Sequence, residues 1–253
     1  CDVSRGLGYS YNGDDFDGDE MGFSGYGENP PAVGVDFFEG PYQDNDNFDN
    51  PFISDYAIAQ SQKGIPYKGL GIGYGDGIID NERFGMRKFL YYNNTGVGNP
   101  DQTDPSTAQD YYGYLSGYWK DGTHFAYGGN GHLSHSDASV DADFMFPGDT
   151  DTLGWGTGGQ QQTTWTEQTS NNIPYDRRFA QSAGPFTLKP GAVNNITVGV
   201  VWARAIYGGA FQSVIELRKA DDKAQALFDN CFEVLEGPHA PDLSIQEMEN
   251  ELI

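Results

Sequence analysis

Basic residues are scarce in this chain: 14 Lys and Arg stand against 37 Asp and Glu, leaving a formal net charge of -23. Such a charge repels nucleic acid and anionic lipid at ordinary salt, which excludes both as principal partners. Long apolar runs are missing too. No stretch approaches the ~20 apolar residues of a membrane-crossing helix, and no basic segment followed by an apolar one resembles a signal peptide. Cysteine is limited to Cys1 and Cys231. They could form one bridge tying the N-terminal strand to a C-terminal helix; the alternative is a buried free thiol at Cys231 and an incidental or lipid-bearing Cys1. The chain opens on Cys1 rather than Met and stops at Leu252-Ile253 within an acidic and apolar pattern. An internal region of a longer polypeptide is the expectation.

What is present is acid, and its placement is uneven. Asp and Glu crowd into Gly/Asn-rich loops at Asp14 to Glu20 (DDFDGDE), Asp44 to Asp49 (DNDNFD) and Asp76 to Glu82 (DGIIDNE). Carboxylates one or two residues apart repel each other, so a fold that gathers them supplies a cation or leaves them solvated. Hydrophobic residues make up 37% and aromatics 14% of the chain, enough for Tyr and Phe to build a core and to argue against disorder.

The periodicity predicts a mainly β fold: a β-sandwich-like core with long Gly/Asp/Asn-rich loops and two or three decorating helices. A loop-rich part, 1–103, holds strands at Leu7 to Tyr11 and Val33 to Phe38, with a short helix over Asp80 to Phe89 capped by Asp80. In 104–175, Asp104-Pro105 signals a helix carrying Tyr111, Leu115, Tyr118 and Trp119 on one face, and irregular loops follow. In 176–240, strands are predicted at Pro185 to Leu188 and Asn195 to Ala205. Ile196, Val198, Val200 and Trp202 share one face of the latter and Val201 and Ala203 the other, the pattern of a central strand. A helix from about Phe211 to Leu235 closes this part, and 241–253 begins a following segment. No internal repeat is visible.

The segments DRRF (176–179, from Asp176), GPFTL (184–188) and ITVGVVWA (196–203), with YGENPPAVGVDFFEGP (26–41) and GDGIIDNERFGM (75–86), resemble secreted Bacteroidetes proteins, the large cargo of the type IX secretion system. The resemblance covers about half of the chain. It implies a secreted or outer-surface location, a larger parent protein and sandwich-like architecture, and it carries no specific activity.

Calcium is the expected cofactor, because its loops place oxygen ligands at alternating positions, where side chains converge. The candidate ligands are Asp15, Asp17 and Asp19; Asp44, Asp46 and Asp49; and Asp76, Asp80 and Glu82. The first set departs from the helix-loop-helix pattern, since Glu20 stands where a glycine is required. Solvated acidic turns are the alternative for each. His132 and His135, followed by Asp137, Asp141 and Asp143, could hold zinc, but lack the Glu and the four-residue spacing of a metallopeptidase helix. No nucleophile motif is present, so no catalytic residue is assigned; Asp149, Asp151 and Glu167 would be the first choice for sugar chemistry. Tyr74, Tyr127 and Trp155, in Gly-rich loops, are candidate ligand-binding aromatics. The expected function is a non-catalytic, calcium-stabilised structural or adhesive region, with a carbohydrate-binding module or a hydrolase region as alternatives. Partners would be other domains of the same polypeptide, surface glycans or neighbouring copies.

Overall fold

The computed structural model describes residues 1–53, 55–62, 71–135, 140–233, 247–248 and 251–252. Strands β1 (Leu7–Tyr11), β4 (Ala32–Glu39) and β9 (Thr197–Ala203) form an antiparallel sheet in the order β1-β4-β9. Register is set by pairs such as Leu7 with Asp36 and Val35 with Val200. Helix α4 (Gly209–Asp229) covers one face of this sheet, where Leu7, Ala32, Val201, Val214 and Leu217 are buried together. Val214 and Leu217, three apart, lie on one stripe of the helix, as an amphipathic pattern requires.

A second antiparallel pair, β7 (Lys88–Asn93) and β8 (Arg177–Ser182), lies against β1. The approach is close at Gly8, where a Cβ would lie 2.1 Å from Gln181 Oε1 and 2.9 Å from the Phe89 ring. Only glycine leaves room there. Around β7 gathers the larger core, with Trp119, Tyr114, Phe125, Leu90, Met86 and Met145 almost wholly buried. Few regular elements feed this core, so its aromatics anchor loops through their polar tips. Trp119 Nε1 donates to Gly131 O at 2.8 Å, Tyr114 OH to Thr103 O at 2.6 Å and Trp165 Nε1 to Ser170 Oγ at 2.9 Å.

The smaller elements are β2 (Phe16–Asp17) with β3 (Gly27–Glu28), β5 (Gly71–Ile72) with β6 (Arg83–Phe84), β10 (Glu247–Met248) with β11 (Glu251–Leu252), and helices α1 (Tyr56–Gln62), α2 (Ala108–Ser116) and α3 (Glu167–Ser170). At 22% helix and 24% strand the chain is mixed, with several small antiparallel sheets.

Four local expectations need revision. Asp80 has φ of 58° and cannot cap a helix; β6 and the start of β7 occupy the predicted helical stretch. Helix α2 is capped by Thr107 in a capping box with Asp110, while Asp104 instead accepts from Thr95 and Arg178. Pro185 to Leu188 is not a strand. Finally, β9 is an edge strand covered by α4 on one face only, and among the described residues nothing covers the solvent-exposed Val198, Val200 and Trp202 on the other.

Candidate functional site

The acidic loops fold as hydrogen-bond acceptors for backbone amides. Asp15 Oδ1 accepts from Ala210 N at 2.8 Å, capping α4 from a distant part of the chain where its own N-cap, Gly208, has no side chain to do so. Asp17 accepts from Tyr26 N and Asp19 from Gly25 N, closing the β2–β3 turn. These three carboxylates therefore diverge to separate partners, unlike the one, three, five cage expected of them.

The other two loops come together. Asp80 Oδ1 accepts from the amides of Asp46 and Asn47, Asp49 accepts from Gly75 and Gly77, and Glu82 Oε1 accepts from Asn50 at 2.5 Å. Asp76 turns back on Ile78 N and Asn81, Asp46 accepts from Phe48 N and Asn50, and Asp44 leaves the cluster to bind Thr187. Bonds from Thr187 hold the Asp44 carboxyl below its ordinary range. Loops 44–50 and 75–82 thus staple each other.

Three ligand-binding assignments fail on burial. Tyr74 is 7% exposed with its hydroxyl on Gln43 Oε1, Tyr127 is 7% exposed with its hydroxyl on Thr163 O, and Trp155 is 6% exposed edge-on to Tyr56. They are core residues, because the Gly-rich loops carrying them fold inward around their rings. The disulfide is also corrected: Cys1 is buried with Sγ donating to Met145 O at 3.3 Å, whereas Cys231 is exposed, and both thiols are free.

The histidine cluster assembles differently from the expected set. Asp141 lies beside His124 and Asp143 pairs with Lys88, while Asp137 and the His135 side chain fall outside the described residues. His132 instead sends Nε2 to Asp121 Oδ2 at 3.1 Å and meets Ser134 Oγ through Nδ1 at 2.7 Å. Burial works against the charged form of Asp121, yet bonds from Thr123 and His132 hold its carboxyl below the ordinary range. Asp101, Asp121 and His132 bring one ligand atom each within 4.8 Å of one another, and among the described residues no other His, Cys, Asp or Glu trio does so. Asp101 and Asp121 precede His132 by 31 and 11 positions, so local spacing held no signal for this trio.

A wide concavity lies between the sheet-helix unit and the loops around 146–175. It is a groove of about 800 Å³. Tyr9 and Tyr11 of β1 and Phe211 of α4 wall one side, with Tyr11 edge-on to Phe211 at 5.9 Å between ring centres. Across from them stand Tyr175, Phe179 and the polar groups of Asp149, Glu167, Asn171 and Asn172. Phe211 is 43% and Tyr175 38% exposed, leaving ring faces open to solvent.

Polar groups in the groove are held in place. Gln168 Nε2 donates to the Tyr11 hydroxyl at 2.9 Å. Arg177 is pinned by its pairing with Glu167, by Ile173 O at 2.7 Å and by stacking 4.5 Å above Tyr91. Burial lowers the Arg177 pKa and pushes the Tyr9 hydroxyl up to about 12, so Tyr9 stays a donor at neutral pH. Asp149 and Glu167, two of the three carboxylates considered for sugar chemistry, line the groove; Asp151 instead binds the amides of Trp155 and Gly156. Tyr9 and Tyr11 read in sequence only as strand alternation, and nothing local announced that their face would meet another part of the chain.

No protein-family model, curated protein or solved structure matches this chain.

Proposed function

We propose that this chain is a non-catalytic adhesive region of a larger secreted or cell-surface protein, and that its adhesive element is the groove, which binds a glycan. One observation carries this reading: open faces of Tyr175 and Phe211, with half-buried Tyr11 against Phe211, stand beside immobilised amide, carboxylate and guanidinium groups in an 800 Å³ cleft. Sugar rings offer an apolar face and an equatorial belt of hydroxyls, and such a wall answers both. The same cleft would suit any flat polyhydroxylated ligand of similar size.

Calcium enters this reading as a stabiliser of loops 44–50 and 75–82, whose Asp46, Asp49, Asp76, Asp80 and Glu82 accept from amides, although among the described residues only Asp101, Asp121 and His132 bring three ligand atoms within 4.8 Å of one another. A larger parent protein, in this reading of the type IX secretion cargo group, would place a neighbouring domain against the outer face of β9, where Val200 is 71% and Trp202 54% exposed. A neighbouring domain would cover that face and complete the sandwich-like layering expected from the sequence.

A glycan array followed by calorimetry on the hits tests the groove. Glycan binding should weaken at least tenfold in Tyr11→Ala and in Phe211→Ala, while a surface control such as Tyr112→Ala leaves it unchanged. Absence of any hit, or hits indifferent to both groove variants, contradicts the assignment. For calcium, melting in excess ion should exceed melting in chelator; at a hundredfold excess over Kd the gain is about 2.7 kcal/mol.

A further inference from the structure

A second cavity, of about 330 Å³, opens where β4 and α4 meet the N-terminal turn, on the far side of β4 from its exposed outer residues. Asp36 of β4 and Asp221 of α4 both line it and both are 1% exposed. Each has a buried Oδ1 with no hydrogen-bond partner. The two nearby guanidinium groups are already engaged: Arg5 with Asp2 at 2.9 Å and Asp222 at 2.9 Å, Arg218 with Asp2 at 3.0 Å. Asp36 and Asp221 are thus two carboxylates facing one space in which the one guanidinium of the lining, Arg5, makes its ion pairs with Asp2 and Asp222 instead.

A purely structural role explains this poorly. Position 36 pairs in register with fully buried Leu7, and position 221 lies one helical turn after fully buried Leu217. Apolar residues at both places would extend the core, whereas buried unpaired carboxylates cost several kcal/mol. Burial pushes both carboxyls up: Asp36 to about 8, reinforced by Asp221 and Asp2, and Asp221 to about 7, reinforced by Asp222 and Asp2 and opposed by Arg5. The rest of the wall is mixed: Phe37, Phe38, Phe84 and Ile72 supply apolar surface, and Arg5, Asp222, Gln225 and Asp229 supply polar groups.

We propose that this cavity binds an organic cation, a primary ammonium or guanidinium on a short aliphatic chain, with its charge between Asp36 and Asp221 and its methylenes against Phe37, Phe38 and Phe84. A metal ion fits less well. No third His, Cys, Asp or Glu among the described residues completes a set with them inside 4.8 Å, while hard cations take six or more oxygens. An organic cation needs only the two carboxylates and gains from aromatic faces. The volume lies at the small end of ligand pockets, roughly 300 to 1,000 Å³.

Calorimetry at physiological salt with cadaverine and agmatine, against uncharged 1,5-pentanediol, tests the site. The expected result is saturable binding of one equivalent, undetected for the diol and weakened at least tenfold by Asp36→Asn and by Asp221→Asn, which preserve shape. Should either variant fail to fold, nuclear Overhauser contacts from cadaverine methylenes to the rings of Phe37, Phe38 and Phe84 in the unmodified protein decide. Several weak equivalents that vanish with salt, contacts to other rings only, or stoichiometric displacement of the diamine by calcium would each overturn the assignment.

Discussion

The two halves of this molecule are ordered by different means. In the sheet-helix unit, β1, β4, β9 and α4 follow regular apolar alternation, and a small aliphatic core of Leu7, Val201, Val214 and Leu217 holds them. In the loop-rich half, a larger aromatic core is reached by chain with little secondary structure, and carboxylates fasten the loops by accepting from amides. Periodic sequence needs few specific polar contacts, because the backbone groups satisfy one another within the elements. Aperiodic sequence must satisfy them one by one. The concentration of Asp in loops is the local price of building half a protein without a repeating pattern.

The contrast can be broken most forcefully at the two cores. Trp119→Ala, which removes a ring 2% exposed together with its bond to Gly131, should cost about 4 kcal/mol, and Leu217→Ala about 3 kcal/mol. If the halves fold as one cooperative unit, urea denaturation shows a single transition lowered by either variant. Two separating transitions would mean that each core stands alone.

A smaller effect tests the acids of the sheet-helix unit, which the general contrast does not cover. Asp36 and Asp221 keep their protons to about pH 8 and pH 7 when folded, but lose them near pH 4 when unfolded. The folded state therefore binds more protons, and this contribution is fully favourable below pH 4 and declines as pH rises from about 4 to 8. Relative to the parent, Asp36→Asn should gain about 1.4 kcal/mol per pH unit between pH 5 and 7. Parallel stability curves for variant and parent across that range would contradict the assignment of the shift to Asp36.

The loop staples come next. Asp49→Ala strips acceptors from Gly75 N and Gly77 N and should cost about 1.5 kcal/mol, with hydrogen exchange quickening in both stapled loops and little in β4 or α4. Smallest is Asp15→Ala, which uncaps α4 at Ala210 N for about 1 kcal/mol. Because Asp15 belongs to an acidic loop yet acts on the regular helix, exchange should quicken in the first turn of α4, which would show where the two modes of ordering meet.

Legibility in sequence followed the same division. Strands β1, β4 and β9 and the body of α4 were readable, since alternation and helical spacing are local properties. Strand β8 was not: Arg177-Arg178-Phe179-Ala180-Gln181-Ser182 has no apolar alternation, and its place is set by pairing with β7 and crossing Gly8. The short helix read at Asp80 failed because a left-handed backbone there serves the staple to Asp46 and Asn47. Of the site, the carboxylates were conspicuous but their partners were not, since Asp15 reaches Ala210 and Asp44 reaches Thr187 across most of the chain. Loop aromatics suggested exposure and proved to be core. The open rings of the groove were instead Phe211 on a helix and Tyr175 in a loop, because only tertiary contact decides which face is left uncovered.

One consequence concerns the free edge of β9. Among the described residues one edge of β9 has no partner strand, and such an edge, with Val198, Val200 and Trp202 exposed beside it, is a template for edge-to-edge pairing between molecules. A net charge of -23 opposes that encounter, since two copies must approach through like fields before their strands can touch. Colloidal repulsion thus does for this sheet what a bulge or an edge lysine does in others. It is also a protection that weakens with ionic strength: at 1 M salt the Debye length shrinks to about 3 Å, and light scattering there should detect dimers and larger species that are absent at 10 mM.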